Sequence, residues 1–79
     1  MKDEELLVEV KKGLKELSDY NDDEILIFIH TVVEFMRGAG VTNIDKSTIG
    51  VITLGVDSLR LRESFSDTFR MLVTQLRER

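Results

Sequence analysis

The chemistry-bearing side chains of this chain fall into three small groups. The tripeptide Asp57–Leu59, Asp-Ser-Leu, holds a serine whose hydroxyl could be covalently modified. The segment Asp19–Asp23 alternates oxygen-bearing side chains as the start of a calcium-binding loop does. His30 and Glu34 stand four residues apart, which places both on one face of a helix as half of a metal or proton-transfer site.

The Asp57–Leu59 tripeptide resembles the motif of acyl carrier proteins, whose serine takes a phosphopantetheine arm. In that family the serine opens a helix, and an acidic helical stretch follows it. Here the tripeptide follows an apolar helical stretch, and Arg60 and Arg62 come directly after it. A carrier modified at Ser58 is therefore kept as an alternative.

Neither metal pattern is complete. A calcium loop needs glycine at its sixth position and glutamate at its twelfth, where the chain has Glu24 and His30. The segment therefore indicates an acidic turn with a helix cap. His30 and Glu34 lack a third ligand and a nucleophile, and with Arg37 they form a narrow polar stripe on a mostly apolar helix. We expect no metal, no cofactor and no catalytic residue, and hence no enzyme.

Composition limits how this chain of 79 residues can be stabilised. It has no cysteine, one histidine, no proline and a net charge of −4. Disulfides and thiolate metal sites are thus excluded, which leaves a good helical core or association with further copies. No signal peptide or membrane span is recognisable, and a net acidic chain is a poor candidate for a dedicated DNA-binding protein.

Hydrophobic periodicity predicts an all-α fold, with residues 1–79 forming a single small domain of three to four helices. The predicted helices run from about Asp3 to Leu17, from Asp22 or Asp23 to Arg37, over Ser47–Leu59, and from about Ser66 to Arg77. Asp45 or Ser47 is expected to cap the third helix, and Gly38 suits the left-handed cap of the second. The residues Arg60–Phe65 are expected to form a short extended arm or loop.

The third predicted helix, Ser47–Leu59, is apolar on all sides, with Asp57 as its only charged residue. A helix of this kind must be covered on every side. Gly50 and Gly55 are expected to allow close approach of neighbouring helices, including helices of another copy.

Charge is divided unevenly along the chain. Residues 1–24 carry nine acidic residues and four lysines, a net charge of −5, whereas residues 25–79 carry six acidic and seven basic residues, a net charge of +1. Two interpretations stay open: ordinary solvated helix faces, or head-to-tail pairing of copies that closes into a ring. Under the second, the subunit-interface candidates are three glutamates and four arginines: Glu4, Glu5, Glu9, Arg60, Arg62, Arg70 and Arg77.

Several stretches of the chain form an ordered series of packing motifs. An acidic first helix leads through Asn21–Glu24 into a long apolar helix, which ends in the Gly-Ala-Gly-Val turn of residues 38–41. Ile49–Leu59 reads IGVITLGVDSL, and Val73–Leu76 reads VTQL. The chain thereby resembles the small head–tail connector (adaptor, or head-completion) proteins of long-tailed bacteriophages, in which these stretches look like IGVIALGVNDL and VTQL. Similar proteins often carry an aromatic residue and a glycine-containing hairpin where this chain has Arg60–Ser64.

The resemblance covers most of residues 5–77 and implies a structural virion subunit at the head–tail junction. It implies a ring of about twelve copies beneath the portal that extends the DNA channel. The implied partners are further copies, the portal protein and the next head-completion or tail protein. Genomic DNA would pass through without sequence-specific binding, no membrane would be involved, and assembly would take place in the host cytoplasm. The remaining alternative is a small helical protein-interaction module.

Overall fold

Four α-helices make up most of the chain in the computed structural model, which describes residues 2–14, 19–62 and 64–78. They are α1 (Asp3–Gly13), α2 (Asp22–Gly38), α3 (Ile49–Arg62) and α4 (Asp67–Arg77), with a short 3-10 helix (Lys46–Thr48) leading into α3. No strand occurs in the described ranges. The predicted all-α class is confirmed. None of these helices has the length and apolarity that a membrane crossing requires.

The helix α3 lies at the centre of the fold. The helices α1, α2 and α3 pack against one another, and α4 packs against α3. Ile52 and Val56 of α3 are fully buried, as are Ile29 of α2 and Phe69 of α4, in a core that also takes in Leu6 of α1. The apolar sides of α3 are therefore covered largely by the other helices of the same chain.

Side-chain caps fix where three of the helical segments begin. Asn21 accepts a hydrogen bond from the backbone N–H of Glu24 at 2.8 Å, while the Glu24 carboxylate accepts one from the Asn21 N–H, so the two form a capping box at α2. Asp45 accepts from the Ser47 N–H at the 3-10 helix. Ser66 accepts from the Phe69 N–H at α4. The prediction that Asp45 or Ser47 caps the third helical segment is confirmed for Asp45.

The predicted end of α1 and the predicted left-handed cap of α2 are wrong. The helix α1 ends at Gly13, and Leu14 has extended backbone angles, so the helix does not continue toward Leu17; residues 15–17 lie outside the described ranges. A Cβ at Gly13 would lie 3.0 Å from the Thr53 side chain, so glycine lets the end of α1 lie against α3. At the end of α2 the left-handed residue is Gly40, with φ of 101°, and not Gly38.

The turn after α2 has the hydrogen bonds of a Schellman motif. The Val41 N–H donates to the Met36 carbonyl at 2.9 Å, and the Gly40 N–H donates to the Arg37 carbonyl at 3.0 Å. Val41 and Met36 are both buried, which adds the apolar contact that accompanies this motif. The helix therefore continues through Gly38 before glycine is required.

The expected arm before the last helix is shorter than predicted, because Arg60, Leu61 and Arg62 belong to α3. An ion pair supports this last turn: Arg60 Nη2 lies 2.6 Å from Asp57 Oδ1, three residues earlier. The Phe65 ring then stacks on Phe69 at a centroid distance of 4.7 Å and lies 4.6 Å from Phe35. These contacts leave only a short connection between α3 and α4.

Candidate functional site

Ser58 lies inside the fold near the end of α3. Its side chain is buried, and the residue is 7% exposed. The Ser58 hydroxyl donates to the Leu54 carbonyl at 3.0 Å and lies 3.2 Å from the hydroxyl of Ser66, the cap of α4. This serine joins two helices and does not open one, so its position is unlike that of a modified carrier serine.

The polar stripe of α2 lies on the surface beside the first turn of α1. His30 Nε2 lies 3.0 Å from Asp3 Oδ2, and both side chains are about half exposed. Together with Glu34 and Arg37 they line an open groove of about 300 Å³. The groove holds a histidine–carboxylate pair but no third metal ligand in place: within the described residues no three histidine, cysteine or acidic side chains gather as metal ligands do.

The acidic turn before α2 serves as a helix start. Asn21 and Glu24 form the capping box described above. Asp22 forms an ion pair with Lys11, with the carboxylate oxygen 2.8 Å from Lys11 Nζ. The acids of the calcium-like segment thus stabilise the positive end of α2 and tie α1 to it.

The three glutamate candidates lie on α1 and differ in how far their carboxylates are already engaged by neighbouring groups. Glu9 Oε1 lies 3.5 Å from Lys12 Nζ, and the Glu5 carboxylate accepts weakly from the Lys2 N–H at 3.3 Å. Glu4 is exposed and forms no ion pair within the described part of the chain. Of the three, Glu4 is the one most open to a partner.

The four arginine candidates are equally unlike one another. Arg60 is held by Asp57, and its side chain is only 15% exposed, so it points into its own chain. Arg77 lies against Gly40 and within 3.6 Å of Glu78. Arg62 and Arg70 are exposed and have no ion pair in the described ranges.

Arg62 borders a groove between α3 and the start of α4. This α3–α4 groove has a volume of about 310 Å³, and the residues that line it are Leu54, Asp57, Ser58, Leu61, Arg62, Ser66 and Thr68. Leu54 and Leu61 lie two helical turns apart on the outward side of α3 and supply its apolar wall. The carboxylate of Asp57 is already paired with Arg60. Among the described residues, Arg62 is therefore the charged side chain of the groove that has no ion pair.

Among the described residues, four large apolar side chains are at least half exposed, one on each helix: Val8 at 50%, Ile27 at 64%, Leu61 at 62% and Met71 at 57% exposure. Periodicity did not single out Ile27, because it lies in the continuous apolar run Ile25–Ile29. Isolated exposed side chains are ordinary. Leu61 differs from the others because it continues into the α3–α4 groove.

Comparison with known proteins finds no matching family model, and no curated protein or solved structure that matches significantly. The candidate site is the surface that carries the exposed apolar side chains, the exposed charges of Glu4, Arg62 and Arg70, and the α3–α4 groove.

Proposed function

We propose that this chain is a structural subunit of a head–tail connector, which forms a ring beneath a phage portal, extends the DNA channel and links the head to the tail. The proposal starts from the resemblance of Ile49–Leu59 and Val73–Leu76 to the packing motifs of that family. The observation that carries it is the place of those motifs in the fold. Ile49–Leu59 lies within the central helix, against which the other three helices pack.

The motif positions are also the positions that the fold constrains most. A Cβ at Gly55 would lie 2.6 Å from Phe69 and 2.9 Å from Val32, so this position admits only glycine without rearrangement. Val73, the first residue of the VTQL stretch, is 2% exposed. A sequence pattern shared for packing reasons is expected at such positions, which supports a common helical framework.

The carrier alternative has weaker support. Modification needs a serine hydroxyl that a transferase can reach, whereas the Ser58 hydroxyl is buried and hydrogen-bonded. Intact-mass measurement of the chain purified from cells that contain an active phosphopantetheinyl transferase separates the two functions. The proposed function requires the mass of the unmodified chain, and an adduct on Ser58 would support the carrier.

The direct test is assembly on a portal. The purified chain would be mixed with the portal protein of the phage that encodes it, and the particles would be imaged by cryo-electron microscopy. We expect a ring of density coaxial with the portal channel. The proposal would be refuted if the chain bound neither to isolated portal rings nor to DNA-filled heads that lack their connector.

A further inference from the structure

The outward side of α2 carries an acidic ridge with an apolar centre. Asp23, Ile27 and Glu34 fall within about 40° of one another around the helix axis, at spacings of four and seven residues. Ile27 has the highest exposure among the large apolar side chains of the described chain, at 64%. Neither Asp23 nor Glu34 forms an ion pair with another described residue. We call these three residues the α2 ridge.

The outward side of α1 is a weaker acidic surface. Glu4 and Glu5 flank Val8 on that side, but Lys11 and Lys12 share it one turn later. These lysines pair with Asp22 and Glu9, and they place positive charge on the same side of α1 as the two glutamates. No basic residue of α2 lies between Asp23 and Ile27, whereas Arg37 lies one turn beyond Glu34. The end of the α2 ridge that carries Asp23 and Ile27 is therefore the better match for the α3–α4 groove with Arg62 at its border.

We infer that the α2 ridge of one copy docks into the α3–α4 groove of a second copy. Leu54 and Leu61 would receive Ile27, and the exposed guanidinium of Arg62 would receive the carboxylate of Asp23. The two surfaces carry opposite charges at Asp23 and Arg62, and each has an apolar centre. They cannot meet within one chain, because Ile25 and Ile29 turn the other side of α2 into the core and Ile27 points away from it.

The spacings on the two helices agree. Asp23 lies about 6 Å along α2 from Ile27, and Arg62 lies about 6 Å along α3 from Ser58, which is near the midpoint between the two leucines of the groove. An α2 that runs antiparallel to the α3 of its neighbour therefore brings Ile27 between the leucines and Asp23 beside Arg62 at the same time.

This contact is heterologous, because ridge and groove are different surfaces, so it generates a closed ring or an open filament. It deepens the proposed function and rests on it, since it names the contact between neighbouring subunits of the proposed ring. The contact differs from the pairing expected from the sequence. The acidic surface that meets the arginine-rich end of the neighbouring copy belongs to α2, and the glutamates of α1 take no part in it.

Engineered cysteines test the contact directly, because the chain has no cysteine of its own. Ile27→Cys and Leu61→Cys would be made in separate, isotopically distinguishable chains, mixed under mild oxidation, and the mixed disulfide dimer quantified by mass. The matched control pairs Val8→Cys with Leu61→Cys, since Val8 is also half exposed and flanked by acids. All three positions are exposed, so circular dichroism should show unchanged helix content.

We expect the Ile27–Leu61 disulfide to form at least about tenfold faster than the Val8–Leu61 disulfide, and this advantage to shrink as salt is added. Arg62→Glu in the groove-bearing chain should remove the advantage, and Asp23→Arg in the other chain should restore it, whereas Lys46→Glu should leave it unchanged. Equal rates for the two cysteine pairs, or a faster Val8–Leu61 pair, would overturn the proposal.

These outcomes are independent of portal binding. A selective Ile27–Leu61 disulfide in a chain that never binds a portal would keep the contact and refute the connector. A coaxial ring on the portal with no selective disulfide would keep the connector and refute the contact.

Discussion

Two glycines of the same helix have opposite surroundings. A Cβ at Gly55 would meet Phe69 at 2.6 Å and Val32 at 2.9 Å, whereas a Cβ at Gly50 would have no neighbour within 4 Å. The sequence indicated close approach at both positions. The structure places the close approach at Gly55 alone, and the approaching helices belong to the same chain.

We expect Gly55→Ala to lower the free energy of unfolding by about 1–3 kcal/mol, because the added methyl group overpacks the core between α2 and α4. Gly50→Ala should raise it by about 0.5–1 kcal/mol, because alanine fixes the helical backbone at a smaller entropic cost and its methyl group meets nothing. Urea titrations followed by circular dichroism measure both. A Gly55→Ala variant as stable as Gly50→Ala would show that the two helices do not close on α3.

A second substitution at Phe69 identifies the source of the Gly55→Ala cost. Phe69→Leu removes the ring atom nearest to the new methyl group, so the double variant should be less destabilised than the two single changes added together, by about 0.5–2 kcal/mol. Relief will be partial because Val32 also touches that position. Strict additivity would locate the strain elsewhere.

At the scale of elements, the joint between α3 and α4 depends on two serines. The Ser66 hydroxyl caps α4 by accepting from the Phe69 N–H, and it also meets the buried hydroxyl of Ser58. The Phe65 ring closes over the joint by stacking on Phe69. Ser58 of the Asp57–Leu59 tripeptide therefore belongs to the connection between α3 and α4.

We expect Ser66→Ala to cost about 1 kcal/mol of unfolding free energy, because the first turn of α4 loses its cap. Ser58→Ala should cost less, under about 1 kcal/mol, because it removes one net hydrogen bond and leaves the cap in place. Ser64→Ala, at an exposed position of the same connection, should change stability by less than about 0.5 kcal/mol. Urea midpoints that rank the three variants in another order would contradict this account of the joint.

The elements also show which features are readable from sequence. Helix starts were predictable because Asn21, Asp45 and Ser66 act on backbone within three residues of themselves. Helix ends were less predictable. The helix α1 ends at Gly13, which lies against Thr53, a residue 40 positions further along the chain. Arg60 was named as an interface candidate from the charge distribution alone, and the sequence does not show that its guanidinium pairs with Asp57.

The candidate surface shows the same division. The unequal charge of the two parts of the chain was visible in the sequence, and it led to Arg62 and Glu4, which are both exposed. The α2 ridge was hidden, because Ile27 lies among apolar neighbours and only the packed bundle shows which of them faces outward. The α3–α4 groove depends on how two helices meet, so it has no local signature.

At the scale of the whole molecule, one chain buries its own core. Its accessible surface is 5119 Å², close to the roughly 4,900 Å² that a compact monomer of its mass is expected to have. Most of the apolar helix α3 is covered by α1, α2 and α4, and Leu61 is its exposed large apolar side chain. Folding should therefore not depend on the proposed assembly.

We accordingly expect the urea midpoint of the isolated chain to be the same at about 1 and 100 µM protein, with a single cooperative transition. A contact confined to the α2 ridge and the α3–α4 groove is small and belongs to the weak end of protein interfaces, so it adds little stability in dilute solution. Were folding coupled to dimer formation, this hundredfold rise in concentration would add about 2.7 kcal/mol of apparent stability and move the midpoint upward. Such a shift would show that α3 needs a second copy for its cover, whereas a fixed midpoint supports a subunit that folds first and joins its neighbours afterwards.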